Sequence, residues 1–280
     1  MKQAPQVAAI HDLSGFGRCS MGIVLPVLSA MGNRCSTLLT AYLSAHTAYP
    51  PSERSVFLDL TDRMKPVWNH WAELGARFDA IYSGFLGSAE QIDLLRTFLE
   101  RFRGRNTLVL VDPVMGDHGK PYATYTPEMC ARMGSLAAQA DLITPNLTEA
   151  AILLGEPYEA APTGEGETET WLRRLSMDGR RSVVITGVCL SPGQVGAGCL
   201  DRTTGRISFA QAPEIPGHFP GTGDLFSSVL LGELLRGRSL ETASARAVSF
   251  VQSCAAYTLQ LGTPLLDGVE FEPLLRQLME

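Results

Sequence analysis

The feature that most constrains this chain is a set of short runs that are apolar at successive positions rather than at alternate ones. Thr107–Val111 (TLVLV), bounded by Asn106 and Asp112, is the clearest case, and Gln6–Ile10 (QVAAI), Ala140–Ile143 and Ser182–Ile185 are similar. A strand with one wet face alternates apolar and polar residues. A run that is apolar on both faces needs cover on both, as in a parallel sheet sandwiched by helices. Segments of helical periodicity lie between the runs. In Ser88–Arg103, Ser88 can cap the helix, Glu90 sits in its first turn, and Ile92, Leu95, Leu99 and Phe102 recur at helical spacing. Ser20–Met31 reads as a helix that tolerates Pro26. Asp224–Arg236 and Leu240–Leu261 are longer helices, and Cys35–Thr40 and Ala80–Tyr82 are further short strands. Val195–Leu200 and Arg206–Ala210 flank the polar turn Asp201–Gly205 and read as a hairpin at one sheet edge. The pattern predicts a single doubly wound three-layer α/β/α sandwich over residues 1–280, mostly parallel with one antiparallel edge hairpin. The acidic stretch Thr163–Thr170 reads as a solvated loop feeding the first turn of a helix, where carboxylates are favoured.

Composition narrows the function classes. The 23 Lys and Arg against 29 Asp and Glu give a net charge of −6, which disfavours a nucleic-acid binder. Every apolar run is broken well short of a membrane span, and the first residues, MKQAPQVAAIHD, contain no secretory core. The six cysteines form no CxxC pair, so reduced thiols in a cytoplasmic protein are expected.

In an open parallel sheet, ligands bind outside the carboxyl ends of the strands. The residues just beyond each strand are therefore informative. His11, Asp12, Ser14, Gly15 and Gly17 come after the first, Asp112-Pro-Val-Met-Gly-Asp117 after Val111, Thr144-Pro-Asn-Leu-Thr-Glu149 after Ile143, and Thr186-Gly187 after Ile185. Taken singly, each cluster is also a turn or a helix cap, for which Asn146 and Thr148 are suited. Taken together, they put many carboxylates and hydroxyls on one edge. Gly221-Thr222-Gly223-Asp224 stands immediately before an apolar helix. Its glycines allow close backbone approach, and successive N–H groups there make an anion site. Asp224 is either a carboxylate stabilising the helix N-terminus or a general base beside a phosphate cradle. Gly15-x-Gly17 lacks a third glycine at the dinucleotide-binding spacing, where Ser20 stands.

With Gly221-Thr-Gly-Asp224 the chain resembles the ribokinase superfamily of small-molecule kinases. Asp112-Pro-Val-Met-Gly-Asp117, Thr144-Pro-Asn-x-x-Glu149, Ser83-Gly-Phe-Leu-Gly-Ser88 and His46-Thr47-Ala-Tyr49 resemble the pyridoxal kinase branch within it. The resemblance implies ATP-dependent phosphorylation of the 5′-hydroxymethyl of a B6 vitamer. Asp224 would take the hydroxyl proton, and the amides of Gly221, Thr222 and Gly223 would hold charge on the transferred phosphoryl. Asp117 and Glu149, with Asp112, would organise Mg²⁺, mostly through water. Asp112, Thr144, Asn146, Thr186 and Gly187 would line the nucleotide site. Asp12, Thr47, Phe85 and Tyr122 would surround the substrate ring, with Phe85 in place of the branch's frequent Tyr. His118–Tyr122 takes the position of a lid, with Tyr122 or Tyr125 as its aromatic. A monovalent cation such as K⁺ and a homodimer are further family expectations. Alternatives are a hydroxymethylpyrimidine kinase, which Asp12 favours, and a non-catalytic B6-binding protein, against which the retained carboxylates argue. A sugar kinase fits Asp112–Asp117 poorly.

Overall fold

The computed structural model describes residues 3–122 and 125–279. The apolar runs become the middle of a nine-stranded sheet. In chain order its strands are β1 (Gln6–Ser14), β2 (Arg34–Leu43), β3 (Phe57–Asp59), β4 (Ala80–Ser83) and β5 (Leu108–Val111). After a separate two-stranded ribbon, β6 (Gly116–Asp117) and β7 (Lys120–Pro121), come β8 (Leu142–Ile143), β9 (Ser182–Val188), β10 (Gln194–Leu200) and β11 (Ile207–Pro213). The spatial order is β11-β10-β9-β8-β5-β4-β1-β2-β3. The six strands from β9 to β2 are mutually parallel.

Successive residues of the inner strands feed opposite cores, which is why their runs show no alternation. Ala8 and Ile10 face one core and Val7 and Ala9 the other; Val109 and Val111 are divided from Leu110 in the same way. The first core is closed by helices α2 (Thr61–Glu73), α3 (Ala89–Phe102), α4 (Pro127–Ala137), α5 (Leu147–Leu154) and α6 (Glu165–Leu175). The second is closed by α1 (Met21–Ala30), α7 (Thr222–Leu235) and α8 (Leu240–Leu261). The three-layer sandwich is as expected, and Ser88 does cap α3, its side chain accepting the Gln91 N–H.

Three local features differ from the sequence expectation. Both edges of the sheet are antiparallel, because β3 pairs Phe57, Leu58 and Asp59 against Leu43, Tyr42 and Ala41 of β2. All three β3 residues are exposed, so no burial pattern marks them. Helix α2 fills the stretch before β4, burying only Met64 and Trp68 around an internal Pro66. The acidic stretch is helical from Glu165 onward, leaving Thr163 and Gly164 as its loop. Among the described residues no helix is long and apolar enough to cross a membrane.

Candidate active site

The chain runs outward from β1 to β2 and then returns to place β4 on the other side of β1. This reversal makes the carboxyl ends of β1 and β4 the switch point of the sheet, the position where doubly wound sheets bind ligands. Asp12 stands there on β1, and Phe85 comes just after β4. Asp112 closes β5, Thr144 and Asn146 lie beyond β8, and Thr186 lies on β9 in an isolated bridge to Asn146. The start of α7 faces the same edge.

Gly221 caps α7 in a left-handed conformation (φ 83°), without a capping side chain. The first N–H groups of the helix therefore have no side-chain acceptor at the cap and no intrahelical one. A Cβ on Gly221 would stand 2.6 Å from the Arg18 carbonyl oxygen, and one on Gly223 would stand 4.0 Å from Asp112 Oδ2. The loop thus packs tightly against the residues before α1 and lies close to Asp112.

Asp224, in the first turn of α7, is 9 % exposed. Its Oδ2 accepts the Ser20 backbone N–H at 2.8 Å and the Cys19 thiol at 3.5 Å, and its Oδ1 lies 3.9 Å from His11 Nδ1. Burial raises its pKa to about 6, the charge of Asp12 adds to the rise, and the Ser20 amide opposes it. Ser20 reaches the carboxylate with φ 48°, a left-handed value that costs a non-glycine residue on the order of 1 kcal/mol or more. His11 is fully buried and stays neutral, its pKa lowered to about 3 by burial, and neither ring nitrogen has a hydrogen-bond partner among the described residues. Its ring meets Tyr82 edge-on at 4.4 Å. Gly84 leaves the room, since a Cβ there would fall on the imidazole.

Asp112 is buried, and its carboxyl is pushed up first by burial and then by the charge of Asp224. Ser227 Oγ lies 3.0 Å from Thr144 Oγ1 and 3.4 Å from Asp112 Oδ2. Glu149 is also buried and raised, by burial first and Asp112 second. Its oxygens accept N–H groups of Met115 at 3.1 Å and Asn146 at 2.9 Å. The Asn146 side chain accepts the Glu149 N–H in return, completing a capping box for α5, and donates to the Gly116 carbonyl at 2.9 Å. The capping role weighed from the sequence is therefore present. One amide hydrogen of Asn146 and the remaining carboxylate lone pairs stay available for a ligand. Among the described residues neither Asp112 nor Glu149 has an ion-pair partner, and the charge of Asp112 acts on buried Glu149. A divalent cation with oxygen ligands fits such a set.

The ribbon β6–β7 carries Asp117 into the same neighbourhood. Its turn residues His118 and Gly119 both have positive φ, 49° and 77°, the conformation of a tight two-residue hairpin. Gly116 allows its strands to approach, since a Cβ there would stand 2.7 Å from Pro121 Cα. The Gly119 N–H donates to Thr148 Oγ1 at 2.9 Å, docking the turn on α5. Burial first, and then the charges of Glu149, Asp117 and Asp112, raise the pKa of Tyr122 at the end of the ribbon. Of the two candidate lid aromatics, Tyr125 is buried with its hydroxyl on the Leu86 carbonyl, whereas Tyr122 is 39 % exposed.

On the ring side Asp12 is buried, accepts Ser14 Oγ at 3.2 Å, and has its pKa raised by burial. Phe85 is buried beside Tyr125, with ring centroids 6.4 Å apart. Thr47 is exposed, next to His46, whose ring nitrogen lies 2.7 Å from the Leu266 carbonyl oxygen. Gly187 is exposed at φ 76°. Gly15 and Gly17 serve packing: side chains there would meet Tyr42 and His46. The sequence places His11 at this edge, directly after the run Gln6–Ile10, whereas its pattern assigns no role at the site to Ser20, Cys19 or Ser227. Only Ser227 carries a readable signal, three positions after Asp224 on the same helix face.

A mostly parallel sandwich with a buried carboxylate and a glycine-rich helix start at its switch point fits the ribokinase-like class of small-molecule kinases. Residues 72–266 match the family model for phosphomethylpyrimidine kinase. The pyridoxine/pyridoxal/pyridoxamine kinase of Bordetella avium is 31 % identical over 275 residues, covering 93 % of this chain and 88 % of that one. A crystal structure with pyridoxal from Bacteroides thetaiotaomicron, described as of the phosphomethylpyrimidine kinase type, superposes with TM-score 0.93 at 40 % identity, covering 99 % and 96 %. The pyridoxal kinase of Lactobacillus plantarum gives 0.88 at 34 % identity, covering 98 % and 96 %. The chain belongs to the pyridoxal kinase family.

Proposed function

We propose that this chain transfers the γ-phosphoryl group of ATP to the 5′-hydroxymethyl of a B6 vitamer, with Asp224 as general base. The observation that carries this reading is the setting of Asp224. A carboxylate beside an anion cradle is unfavourable unless it has a proton to accept. A pKa of about 6 leaves it mostly ionised at neutral pH and basic enough to do so. The Ser20 N–H fixes one oxygen, leaving lone pairs for the substrate hydroxyl. The amides of Gly221, Thr222 and Gly223 face the transferred phosphoryl and stabilise its equatorial charge. Thr144, Asn146, Thr186 and Gly187 lie toward the nucleotide, and Asp12, Thr47, Phe85 and Tyr122 toward the ring. Asp117, Glu149 and Asp112 would hold Mg²⁺, largely through water, and the ion would neutralise the β- and γ-phosphates. Closure of the β6–β7 ribbon would exclude water from the γ-phosphate.

A second reading, phosphorylation of a hydroxymethylpyrimidine, is favoured by one observation: a buried carboxylate, Asp12, in the ring pocket of a chain that matches the phosphomethylpyrimidine kinase model. Incubation with MgATP and a panel of pyridoxal, pyridoxine, pyridoxamine and hydroxymethylpyrimidine, with products identified by mass, separates the two. Phosphorylated vitamers are expected. A product from hydroxymethylpyrimidine alone transfers the assignment to the second reading, and ADP formation without any phosphorylated acceptor refutes both.

A further inference from the structure

We infer that His118, His218 and Asp117 form a binding site for a divalent transition metal such as Zn²⁺, clasping the β6–β7 ribbon to the anion loop. His118 stands at the ribbon turn, and His218 stands three residues before Gly221. The two are 100 positions apart in sequence, yet His118 Nε2 lies 3.1 Å from His218 Nδ1. The rings are 5.1 Å apart at centroids and inclined by 59°, so they converge on one point rather than stack. Asp117 Oδ2 lies 3.6 Å from the same His118 nitrogen, and the three ligand atoms fall within 4.8 Å of one another. Tetrahedral Zn²⁺ with bonds of about 2.0–2.1 Å sets neighbouring donor atoms about 3.3–3.5 Å apart. The two observed separations bracket that spacing.

A bond between the imidazoles alone accounts for less. It explains neither the third donor nor the backbone. The Asp117 carboxylate is oriented by its Oδ1, which accepts the His118 N–H at 2.8 Å, and this turns Oδ2 toward the imidazole. His118 occupies a left-handed position, φ 49°, where Asn or Gly is the less strained choice in a hairpin turn. Two nitrogens and one oxygen suit Zn²⁺, Co²⁺ or Ni²⁺. They do not suit Mg²⁺, which takes oxygen ligands. Both histidines are exposed, so the metal can enter from solvent and the fourth coordination position is open to water.

The consequence for turnover rests on the functional reading above. A metal bonded to both elements holds the ribbon on the anion loop and occupies a carboxylate of the Mg²⁺ set. Zn²⁺ is then an inhibitor that acts by opposing exchange of substrate and product.

The binding test needs no nucleotide. Co²⁺ is titrated into the metal-free protein, and its tetrahedral visible absorption is followed and then displaced with Zn²⁺. One equivalent is expected, weakened at least tenfold in both His118→Asn and His218→Ala, where Asn at 118 keeps the turn conformation. No Co²⁺ band, or a band unchanged in both variants, overturns the site. Turnover is then measured at saturating MgATP with free Zn²⁺ held by a metal buffer, each protein scaled to its own zinc-free rate. Inhibition of the parent protein and at least tenfold weaker inhibition of His218→Ala support the clasp; equal inhibition overturns it. A preparation inactive on every vitamer without zinc speaks against the functional reading only and leaves the Co²⁺ titration to decide the site.

Discussion

The two ends of the proposed active site are built in different ways. At the end proposed for the ring, Asp224, Asp12 and His11 are 9 %, 4 % and 0 % exposed, and the groups around them come from β1, β4, the residues just before α1, and α7. At the end proposed for Mg²⁺, Glu149 and Asp112 are buried but Asp117 sits on a six-residue ribbon outside the main sheet, with 37 % of its side chain exposed. The first end holds a protonation state, which needs low dielectric and fixed neighbours. On the proposed function the second would admit and release a nucleotide, a task suited to an element outside the main sheet. One region therefore combines a buried, closely packed part with a partly exposed one.

The sharpest way to break this contrast is at the base. Asp224→Asn keeps the size of the side chain and a carbonyl oxygen for the Ser20 N–H, but removes basicity. A fall in kcat of roughly 10²- to 10⁴-fold is expected, with a much smaller change in ATP affinity. Stability should move the other way. The folded pKa of about 6 lies above the ordinary 3.8, so the ionised form is penalised in full above about pH 6, and the penalty is relieved as pH falls toward 4. The Asn variant should be more stable at pH 7–8, by on the order of 1–3 kcal/mol, and this gain should shrink in denaturant titrations run toward pH 4. Near-normal turnover would return Asp224 to a helix-stabilising role.

At the other end, Glu149→Gln and Asp117→Asn should each raise the Mg²⁺ concentration for half-maximal rate, by about an order of magnitude if each loses one charged oxygen contact. Vitamer binding without ATP, followed by the ligand's own absorbance, should hardly change. An unaltered Mg²⁺ dependence in both variants would place the metal elsewhere.

The smallest effect tests the ring pocket. An ionised Asp12 accepts hydrogen bonds and cannot donate them, so near C4′ it favours the cationic amine of pyridoxamine over the aldehyde of pyridoxal. Asp12→Ser should lower the ratio of kcat/KM for pyridoxamine over pyridoxal several-fold. A ratio that holds or rises shows that Asp12 reads another part of the ring.

The two ends also differ in how far they could be read from the sequence. The glycine-rich start of α7, the carboxylates after β5 and β8, the parallel core and the full extent of α8 follow from contiguous patterns of apolar runs, glycines and caps. The elements that escaped have no such pattern. β3 has three exposed residues, and α2 shows a stripe of only two buried side chains interrupted by Pro66. The neighbours of Asp224 escaped for another reason. Cys19 and Ser20 stand more than 200 positions away and touch Asp224 only because α1 packs on α7. Such a contact is a property of the fold, and no local spacing announces it.

The Ser20 amide has a consequence for how this site can vary. A hydrogen bond given by the main chain is the same whatever side chain the residue carries, with proline the sole exception. Replacing side chains one at a time, even systematically, leaves the N–H aimed at Asp224 in place, and substitution by glycine eases the left-handed backbone that aims it. The orientation of the base is thereby carried in the path of the chain, so drift in the residue at position 20 need not erode it.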